Sequence, residues 1–179
     1  MVPFSNHCTA SLPAANNRHR LKIFRKFINR ADMSGCCLDI GPKNYIGTEL
    51  GIGWNTVSDL NFNVVPIIRV IFHTVTCFEV LNHNMNPLLL LQNIHSLMEE
   101  GGCLYLSTPK SWLISWYHGP ENFVEYKKDQ LLKLIGYAGF KVVRYEVHNP
   151  WPWYFIFYGI RPVFRYIFNR FHLIEAIKI

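Results

Sequence analysis

The sequence predicts an α/β protein built on a doubly wound, mostly parallel sheet. The stretch 72–109 has the pattern of strand, helix and strand, and a short crossover of this kind forces its two strands to run parallel. An earlier apolar run, 36–40, holds an acidic residue near its end and is followed by glycine, which is how doubly wound sheets begin a nucleotide site. Half of the residues are hydrophobic and 17% are charged, so the composition favours a globular fold over a disordered chain.

Length and cysteine usage narrow the class of protein further. A chain of 179 residues is predicted to form one domain with a substantial core. The five cysteines form no CxxC pair, which favours reduced, packed cysteines in an intracellular protein over a disulfide framework or a metal site. No apolar run reaches the roughly 18 residues that a membrane span needs, and the first residues lack the apolar region of a signal peptide. We therefore expect a cytoplasmic protein.

The N-terminal part is predicted to be a loose tail over residues 1–16, followed by a single domain over 17–179. The segment 17–31 has helical spacing with four apolar residues on one face: Leu21, Phe24, Phe27 and Ile28. Its other face carries six basic residues, which equal the formal net charge of +6: Arg18, Arg20, Lys22, Arg25, Lys26 and Arg30. We favour a solvated face on a helix that packs against the sheet; the alternative is a patch for anionic lipid or nucleic acid.

The remaining elements follow in order along the chain. Strands are predicted at 36–40, 54–58, 72–78, 103–107, 141–148 and 173–179, with the first, third and fourth of these as parallel neighbours. The helix of the central unit begins with Asn86 as its N-cap and Pro87 in its first position, where the missing N–H costs nothing. Gly101 and Gly102 are predicted to end that helix. A last helix begins at Pro162, with these apolar residues on one face: Val163, Phe164, Ile167, Phe168 and Phe171.

Two acidic residues suggest a nucleotide site. Asp39 precedes Gly41 at the end of its strand, so the glycine lets the backbone approach a ligand while the acid takes a hydroxyl or ammonium group. Asp59 lies twenty residues further on, where such sheets bind a ribose hydroxyl. The alternative for Asp59, a loop aspartate that caps a turn, is equally open.

Several runs in order carry a specific resemblance. They are Asp39–Gly41, Asp59–Phe62, the segment CFEVLNHNMNPLLLLQNIHSLMEEGGCLYLSTP over 77–109, Phe123–Tyr126, and Ala138–Phe140. Together they resemble the small class I S-adenosylmethionine-dependent methyltransferases over residues 35–147. The resemblance implies a Rossmann-like fold in which the run 173–179 is a terminal antiparallel strand inserted in the sheet. The third strand of the family is expected to be reduced, because the span between the first and fourth family strands is short.

The resemblance also implies site residues and S-adenosylmethionine as the cofactor. Asp39 and Gly41 would meet its methionine part, and Asp59 its ribose or adenine. Phe78 and Glu79 would form the edge of the site. Because the cofactor carries the reactivity, the protein mainly binds and aligns, and we expect neither a nucleophilic triad nor a metal.

Candidates for the acceptor side of the site follow the fourth and fifth family strands. His83 could take a proton from an acceptor hydroxyl or amine, or it could fix the turn before the helix. Four residues are candidates for a substrate wall, with loop packing as the alternative: Trp112, Trp116, Tyr117 and His118. Lys43 and Tyr45 stand where the family has its second and third glycines.

The prediction for function is methyl transfer to a small-molecule, lipid or sugar-type acceptor. The alternative, favoured by Lys43 and Tyr45, is a non-catalytic binding or assembly module. An RNA methyltransferase ranks third, because no aromatic residues interleave with the basic helix face in the way that single-strand binders stack bases.

The aromatic excursion, residues 149–171, lies between the last two predicted strands. Its interleaved tryptophan, tyrosine and arginine residues are typical of a membrane-interface anchor, and equally of a substrate lid, a dimer contact or ordinary core. We predict that its segment 151–171 either holds the protein at a membrane surface or closes over an apolar acceptor. Any membrane contact must be peripheral, because the apolar run 153–160 is too short to span a bilayer.

Overall fold

Within the residues that it describes, the computed structural model contains a six-stranded sheet with helices on both faces. It describes residues 14–28, 36–41, 49–50, 56–57, 71–111 and 124–179. The strands are β1 (Cys37–Ile40), β2 (Thr56–Val57), β3 (Phe72–Phe78), β4 (Met98–Pro109), β5 (Phe140–His148) and β6 (Phe171–Lys178). The helices are α1 (Ala14–Phe27), α2 (Pro87–Ser96), α3 (Lys128–Tyr137) and α4 (Ile160–Phe168), with short 3-10 turns at Leu81–His83 and Trp153–Tyr158.

The strand order is β2-β1-β3-β4-β6-β5. β1 pairs in parallel with β2 and β3, and β3 pairs in parallel with β4, so the predicted parallel neighbours are confirmed with β3 in the middle. β6 runs antiparallel between β4 and β5. β5 therefore points the same way as β4, and the carboxyl ends of β1, β3, β4 and β5 share one edge of the sheet. The fold class inferred from the sequence is confirmed.

The two faces of the sheet are covered by different helices. Side chains of α2 and α3, such as Leu91 and Ile135, join the larger buried cluster with Leu38, Val75 and Leu104 of the strands. α1 covers the opposite face through a smaller cluster, whose buried members are Phe24, Phe27, Ile28, Phe78, Tyr105, Phe171 and Leu173. The predicted apolar face of α1 is thus a packing face.

An ion-pair network holds α1 on the face of the sheet opposite α2 and α3. The Arg144 guanidinium on β5 donates to the carbonyl of Phe27 and lies 4.0 Å from the centre of the Phe27 ring. Its Nε is 2.8 Å from Oε2 of Glu175 on β6, and the hydroxyl of Tyr105 donates to the same carboxylate at 3.3 Å. The network ties the end of α1 to three strands.

The glycines after α2 differ from the prediction. The helix ends at Ser96 with Leu97 as its cap, and Gly101 and Gly102 lie inside β4, beside an irregularity in its pairing with β3. A Cβ on Gly102 would lie 2.9 Å from the carbonyl oxygens of both Glu99 and His73. Gly102 is therefore required by two close backbone approaches and not by a helix cap.

Other boundaries shift by a few residues. The N-cap of α2 is confirmed, because Oδ1 of Asn86 accepts from the N–H of Leu89 at 3.1 Å. α1 begins at Ala14, and α4 begins at Ile160, so Pro162 falls in its first turn, where backbone N–H groups have no intrahelical partner. Phe171, predicted on the face of this helix, instead opens β6 and is buried.

Four of the five cysteines lie in the described part of the chain, and Cys36, Cys77 and Cys103 are free thiols. Cys37 and Cys77 are buried in strands, as predicted for small apolar packing residues. Burial raises the pKa of the Cys77 thiol far above its ordinary value, so this thiol stays protonated.

Candidate functional site

A crevice at the carboxyl edge of the sheet lies between β1 and β3. The chain leaves β1 for β2 on one side and returns to the sheet at β3 on the other. Open α/β sheets bind ligands at such a switch point, outside the carboxyl ends of the two strands. Asp39 is the next-to-last residue of β1, and Glu79 directly follows β3. The structure thus brings Asp39, Gly41 and Glu79, three of the predicted site residues, to one edge.

Asp39 is a buried carboxylate with one strong internal partner. The residue is 3% exposed, and Oγ1 of Thr76, its partner in the β1–β3 pairing, donates to Oδ1 at 2.6 Å. Burial raises the pKa of Asp39 from 3.8 to about 6, against the opposing effect of the Thr76 hydrogen bond. The group is therefore mostly ionised at pH 7, and its remaining lone pairs can accept from hydroxyl or ammonium donors.

Gly41 provides the turn that follows β1. Its φ of +120° belongs to a region that residues with a side chain rarely adopt, and a Cβ here would lie 2.7 Å from Cγ2 of Val80. The glycine therefore lets the chain turn directly past the end of β3. The next loop, with Lys43, Tyr45 and Gly47, lies outside the described residues, so its shape stays a prediction.

Glu79 is held in a strained backbone conformation at the end of β3. Its φ is +58°, which costs a residue with a side chain about 1–3 kcal/mol and persists only where neighbours impose it. Its N–H donates to Oγ of Ser107 at 3.0 Å and to the carbonyl of the same residue at 3.1 Å. The Ser107 hydroxyl donates in return to Oε1 of Glu79 at 2.8 Å. These bonds fix the carboxylate at the crevice.

Arg20 of α1 reaches the same carboxylate. Its Nη2 lies 3.5 Å from Oε1 of Glu79, and the guanidinium is 5.7 Å from the centre of the Phe171 ring. The sequence pattern predicts a solvated basic face for α1, and this is wrong for Arg20, whose side chain is only 13% exposed. Its partner Glu79 lies 59 residues further along the chain, so no local pattern indicates the pair.

Phe78 does not serve the crevice with its ring. Because side chains alternate along a strand, Phe78 projects on the same face as Thr76, and α1 covers it there. Its ring is 4.6 Å from that of Phe24, and the residue is 4% exposed. The Phe78 ring therefore packs under α1, while the place of Phe78 at the edge of the site stays a prediction.

His83 lies on the 3-10 turn between β3 and α2 and is half-buried. Its Nε2 is 3.1 Å from Nδ2 of Asn82, which supports the interpretation that it fixes the turn. The contact engages one of the two ring nitrogens that a general base would use. A proton-transfer role for His83 stays a prediction.

Other predicted site residues lie outside the described residues. They are Asp59 and the four substrate-wall candidates Trp112, Trp116, Tyr117 and His118.

His172 is a buried group near the site that the sequence analysis missed. Its Nε2 is 2.9 Å from the carbonyl oxygen of Tyr126, and its Nδ1 is 2.8 Å from the hydroxyl of Tyr145. A carbonyl can only accept, so Nε2 carries the proton and Nδ1 accepts from the tyrosine. Burial lowers the pKa of His172, which keeps the ring neutral. The only sequence signal was a histidine inside an otherwise apolar terminal strand.

The inserted strand β6 and the switch point between β1 and β3 together define the class I methyltransferase fold. The chain belongs to the family whose model is described as "Methyltransferase domain", and that model matches residues 13–155. This confirms the family inferred from the motifs.

Two curated relatives match short parts of the chain. The ubiquinone biosynthesis O-methyltransferase of Haemophilus ducreyi is 35% identical over 79 residues, which are 43% of this chain and 34% of that protein. The tRNA U34 carboxymethyltransferase of Desulforapulum autotrophicum is 44% identical over 45 residues, 25% of this chain and 14% of that protein. The chain thus spans about a third or less of the length of these relatives.

Solved structures share the fold at low identity. The magnesium protoporphyrin IX methyltransferase ChlM from Synechocystis, solved with bound SAH, has a TM-score of 0.61 and 12% identity, covering 92% of this chain and 84% of that one. A SAM-dependent methyltransferase from Archaeoglobus fulgidus has a TM-score of 0.61 and 15% identity, covering 90% and 94%. The [4+2]-cyclase SpnF has a TM-score of 0.64 and 12% identity, covering 90% and 81%. The same fold thus occurs in a protein named for a different reaction.

Proposed function

We propose that the protein transfers a methyl group from S-adenosylmethionine to a small-molecule, lipid or sugar-type acceptor. The observation that carries the proposal is the pair of carboxylates, Asp39 and Glu79, at the switch point of a methyltransferase-family sheet. When bound, the cofactor supplies a methyl group on a positively charged sulfur that an acceptor displaces in line.

The described residues fit this cofactor chemically. Its ammonium and ribose hydroxyls are donors, and the ionised carboxylate of Asp39 is a buried acceptor with lone pairs beyond the one that Thr76 uses. Gly41 keeps the turn beside it free of a side chain. Glu79 holds a second acceptor in a fixed position through Ser107. Asp59 is a further proposed contact.

The work of these residues is binding and orientation. The crevice needs no nucleophile, because the cofactor carries the reactive group. Ser107 and Arg20 hold the Glu79 carboxylate at the end of β3, where its oxygens are further hydrogen-bond acceptors for a ligand. If the acceptor is a hydroxyl or amine, His83 is the proposed candidate among the described residues to receive its proton.

The relatives support a small acceptor over RNA. Both the Haemophilus protein and ChlM are named for small-molecule methyl acceptors. The relative named for tRNA matches only 45 residues. Two of the basic residues on α1 are also engaged within the protein, since Arg20 pairs with Glu79 and Arg25 lies 3.8 Å from Glu49. This leaves fewer charges for a phosphate backbone.

Isothermal titration with S-adenosylmethionine and with its demethylated product tests the proposal. We expect both to bind, and Asp39→Asn to weaken binding by about tenfold or more, because a neutral amide replaces a charged acceptor. Asp129→Asn, which removes an exposed carboxylate from α3, is the matched control and should bind like the wild type. Absence of binding at millimolar cofactor would overturn the proposal.

A non-catalytic binding or assembly module is the second candidate. It is favoured by the ion pair between Arg20 and Glu79, which satisfies the second carboxylate without any ligand. The same titration separates the two functions, because a module that has lost the cofactor site binds neither compound. Arg20→Gln extends the test: if Arg20 closes an inactive crevice, this variant should gain affinity for the cofactor, whereas in an enzyme it should not.

A further inference from the structure

The aromatic excursion carries an exposed apolar surface. Six of its side chains are between 45% and 76% exposed: Trp153, Phe157, Tyr158, Ile160, Phe164 and Ile167. Large apolar side chains gain free energy when they leave water, so leaving six of them exposed within one short segment is costly. Exposed apolar residues at this density in a folded domain mark a contact with another surface.

The surface is organised and not a frayed part of the core. Trp153 and Phe157 form an edge-to-face pair with ring centres 6.0 Å apart, and the rings of Phe164 and Phe168 stack at 5.9 Å. Ile160, Phe164 and Ile167 follow a spacing that places them on one side of α4. The excursion is anchored at its ends, where Trp151 and Phe171 are buried. Its middle therefore presents a shaped apolar surface outward.

Basic residues occur within the sequence of the excursion and on the neighbouring helix α1. No acidic residue occurs between Glu146 and Glu175, while three arginines do: Arg161, Arg165 and Arg170. α1 lies beside the start of the excursion, because His19 forms a hydrogen bond with the backbone of Asn149. Its exposed Arg18, Lys22 and Lys26 recur at every fourth position and form a basic stripe along α1.

We propose that the aromatic excursion docks on the surface of an anionic lipid bilayer, with the carboxyl edge of the sheet turned toward it. Tryptophan and tyrosine prefer the headgroup level of a bilayer, and anionic headgroups attract the neighbouring arginines and lysines. A second copy of the chain would instead bring two positively charged surfaces together. No helix in the described ranges is long and apolar enough to cross a membrane, so the contact is peripheral.

The placement connects docking with the crevice. The excursion leaves β5 and enters β6 at the edge that holds Asp39 and Glu79, because β5 points the same way as β3 and β4. A docked protein would therefore hold its crevice close to the bilayer surface. Docking itself requires no cofactor and is independent of the proposed activity.

Vesicle flotation of the full chain tests the proposal. Phosphatidylcholine vesicles with phosphatidylglycerol should carry the protein, and pure phosphatidylcholine vesicles should carry much less. The double substitution Trp153→Ser, Phe157→Ser should lower partitioning by roughly tenfold or more. Tyr137→Ser removes a comparably exposed ring from α3 at the opposite edge of the sheet, and it should leave partitioning unchanged.

A second double variant and its control test whether the basic residues of α1 contribute to binding of anionic vesicles. Lys22→Gln, Lys26→Gln should weaken binding to anionic vesicles several-fold, with little effect on neutral ones, and added salt should reduce the difference. Lys133→Gln removes the charge of an exposed lysine on α3, and it should change binding to neither anionic nor neutral vesicles.

Two results would overturn the proposal. One is that the Trp153→Ser, Phe157→Ser variant binds anionic vesicles as strongly as the wild type does. The other is absence of flotation together with a dimer in light scattering that this variant dissociates, which would assign the surface to a second copy. Because flotation is measured without cofactor, a failed cofactor titration would leave this result unaffected.

Discussion

At the scale of single residues, the ionised carboxylate of Asp39 lowers the stability of the folded chain. Its pKa rises from 3.8 to about 6 on folding, so the folded chain holds the proton more tightly than the unfolded chain. The free energy of unfolding therefore falls as the pH rises through this window and stays lower above it. We expect Asp39→Asn to raise the unfolding free energy at pH 7 by on the order of 1–3 kcal/mol and to have little effect near pH 4. Urea unfolding across this pH range measures the difference. Equal stability of variant and wild type at pH 7 would contradict a raised pKa of Asp39 in the folded chain.

The same ionisation predicts a pH dependence of binding. The ionised carboxylate is a stronger, charge-assisted acceptor than the protonated acid, so the wild-type affinity for S-adenosylmethionine should fall as the pH drops through about 6. The affinity of Asp39→Asn should be low and should lack this transition. Titration at several pH values distinguishes the two, and a wild-type affinity that is flat between pH 5 and 8 would exclude Asp39 from the contact.

The buried pair of Tyr145 and His172 gives a prediction for stability alone. Tyr145→Phe removes the donor to Nδ1 of His172, leaving a buried acceptor without its partner. We expect the unfolding free energy to fall by about 1–3 kcal/mol. Tyr137→Phe deletes a hydroxyl from a residue that is 77% exposed and is the matched control. A Tyr145→Phe variant as stable as the control would show that the hydrogen bond contributes nothing.

A site residue could be predicted from the sequence only where the pattern that marks it lies close to it in the chain. Asp39, Gly41 and Glu79 stand at strand ends within recognisable local patterns, and the structure gathers them at one edge. Arg20, Ser107 and His172 act through partners that only the fold brings near, so no local pattern marked them. For Phe78, the pattern located the strand end, but it gave no information about which face of the sheet α1 covers.

At the scale of elements, the sequence predicted order and direction better than boundaries. The parallel strands and the position of α2 follow from hydrophobic runs and the Asn86-Pro87 start. The predicted end of α2 was wrong because a pair of glycines is found both in helix caps and where two backbone segments approach closely. Here the close approach involves His73, which lies in a neighbouring strand, so the sequence near the glycines does not indicate it.

Three glycines test this interpretation by substitution with alanine. Gly102→Ala should destabilise the protein by several kcal/mol, because its Cβ would meet two backbone oxygens at 2.9 Å. Gly101→Ala has open space but a φ of +76°, so a cost of about 1 kcal/mol is expected. Gly136→Ala, near the end of α3 and also in open space, should be stabilising by about 0.5–1 kcal/mol. Thermal unfolding ranks the three, and an equal effect of the first two would contradict the close approach.

At the scale of the whole molecule, the sheet and the aromatic excursion divide the apolar residues between them. The sheet buries its share in two clusters, one under α2 and α3 and one under α1. The excursion instead packs its rings largely on one another, as with Trp151 and Phe155 at 4.3 Å, and leaves its middle exposed. Composition alone could not reveal this division, because apolar residues are frequent in both parts.

The division predicts that the domain folds without the excursion. β5 and β6 are antiparallel neighbours, with His148 opposite Phe171, so a two-residue Asn-Gly turn can replace residues 149–170. The shortened protein should retain cooperative unfolding and cofactor affinity, because neither buried cluster includes a residue from the replaced stretch. It should lose flotation with anionic vesicles, because the exposed rings are gone. Circular dichroism, cofactor titration and flotation on the same preparation test the three parts. Loss of cooperative unfolding would show that the excursion belongs to the core.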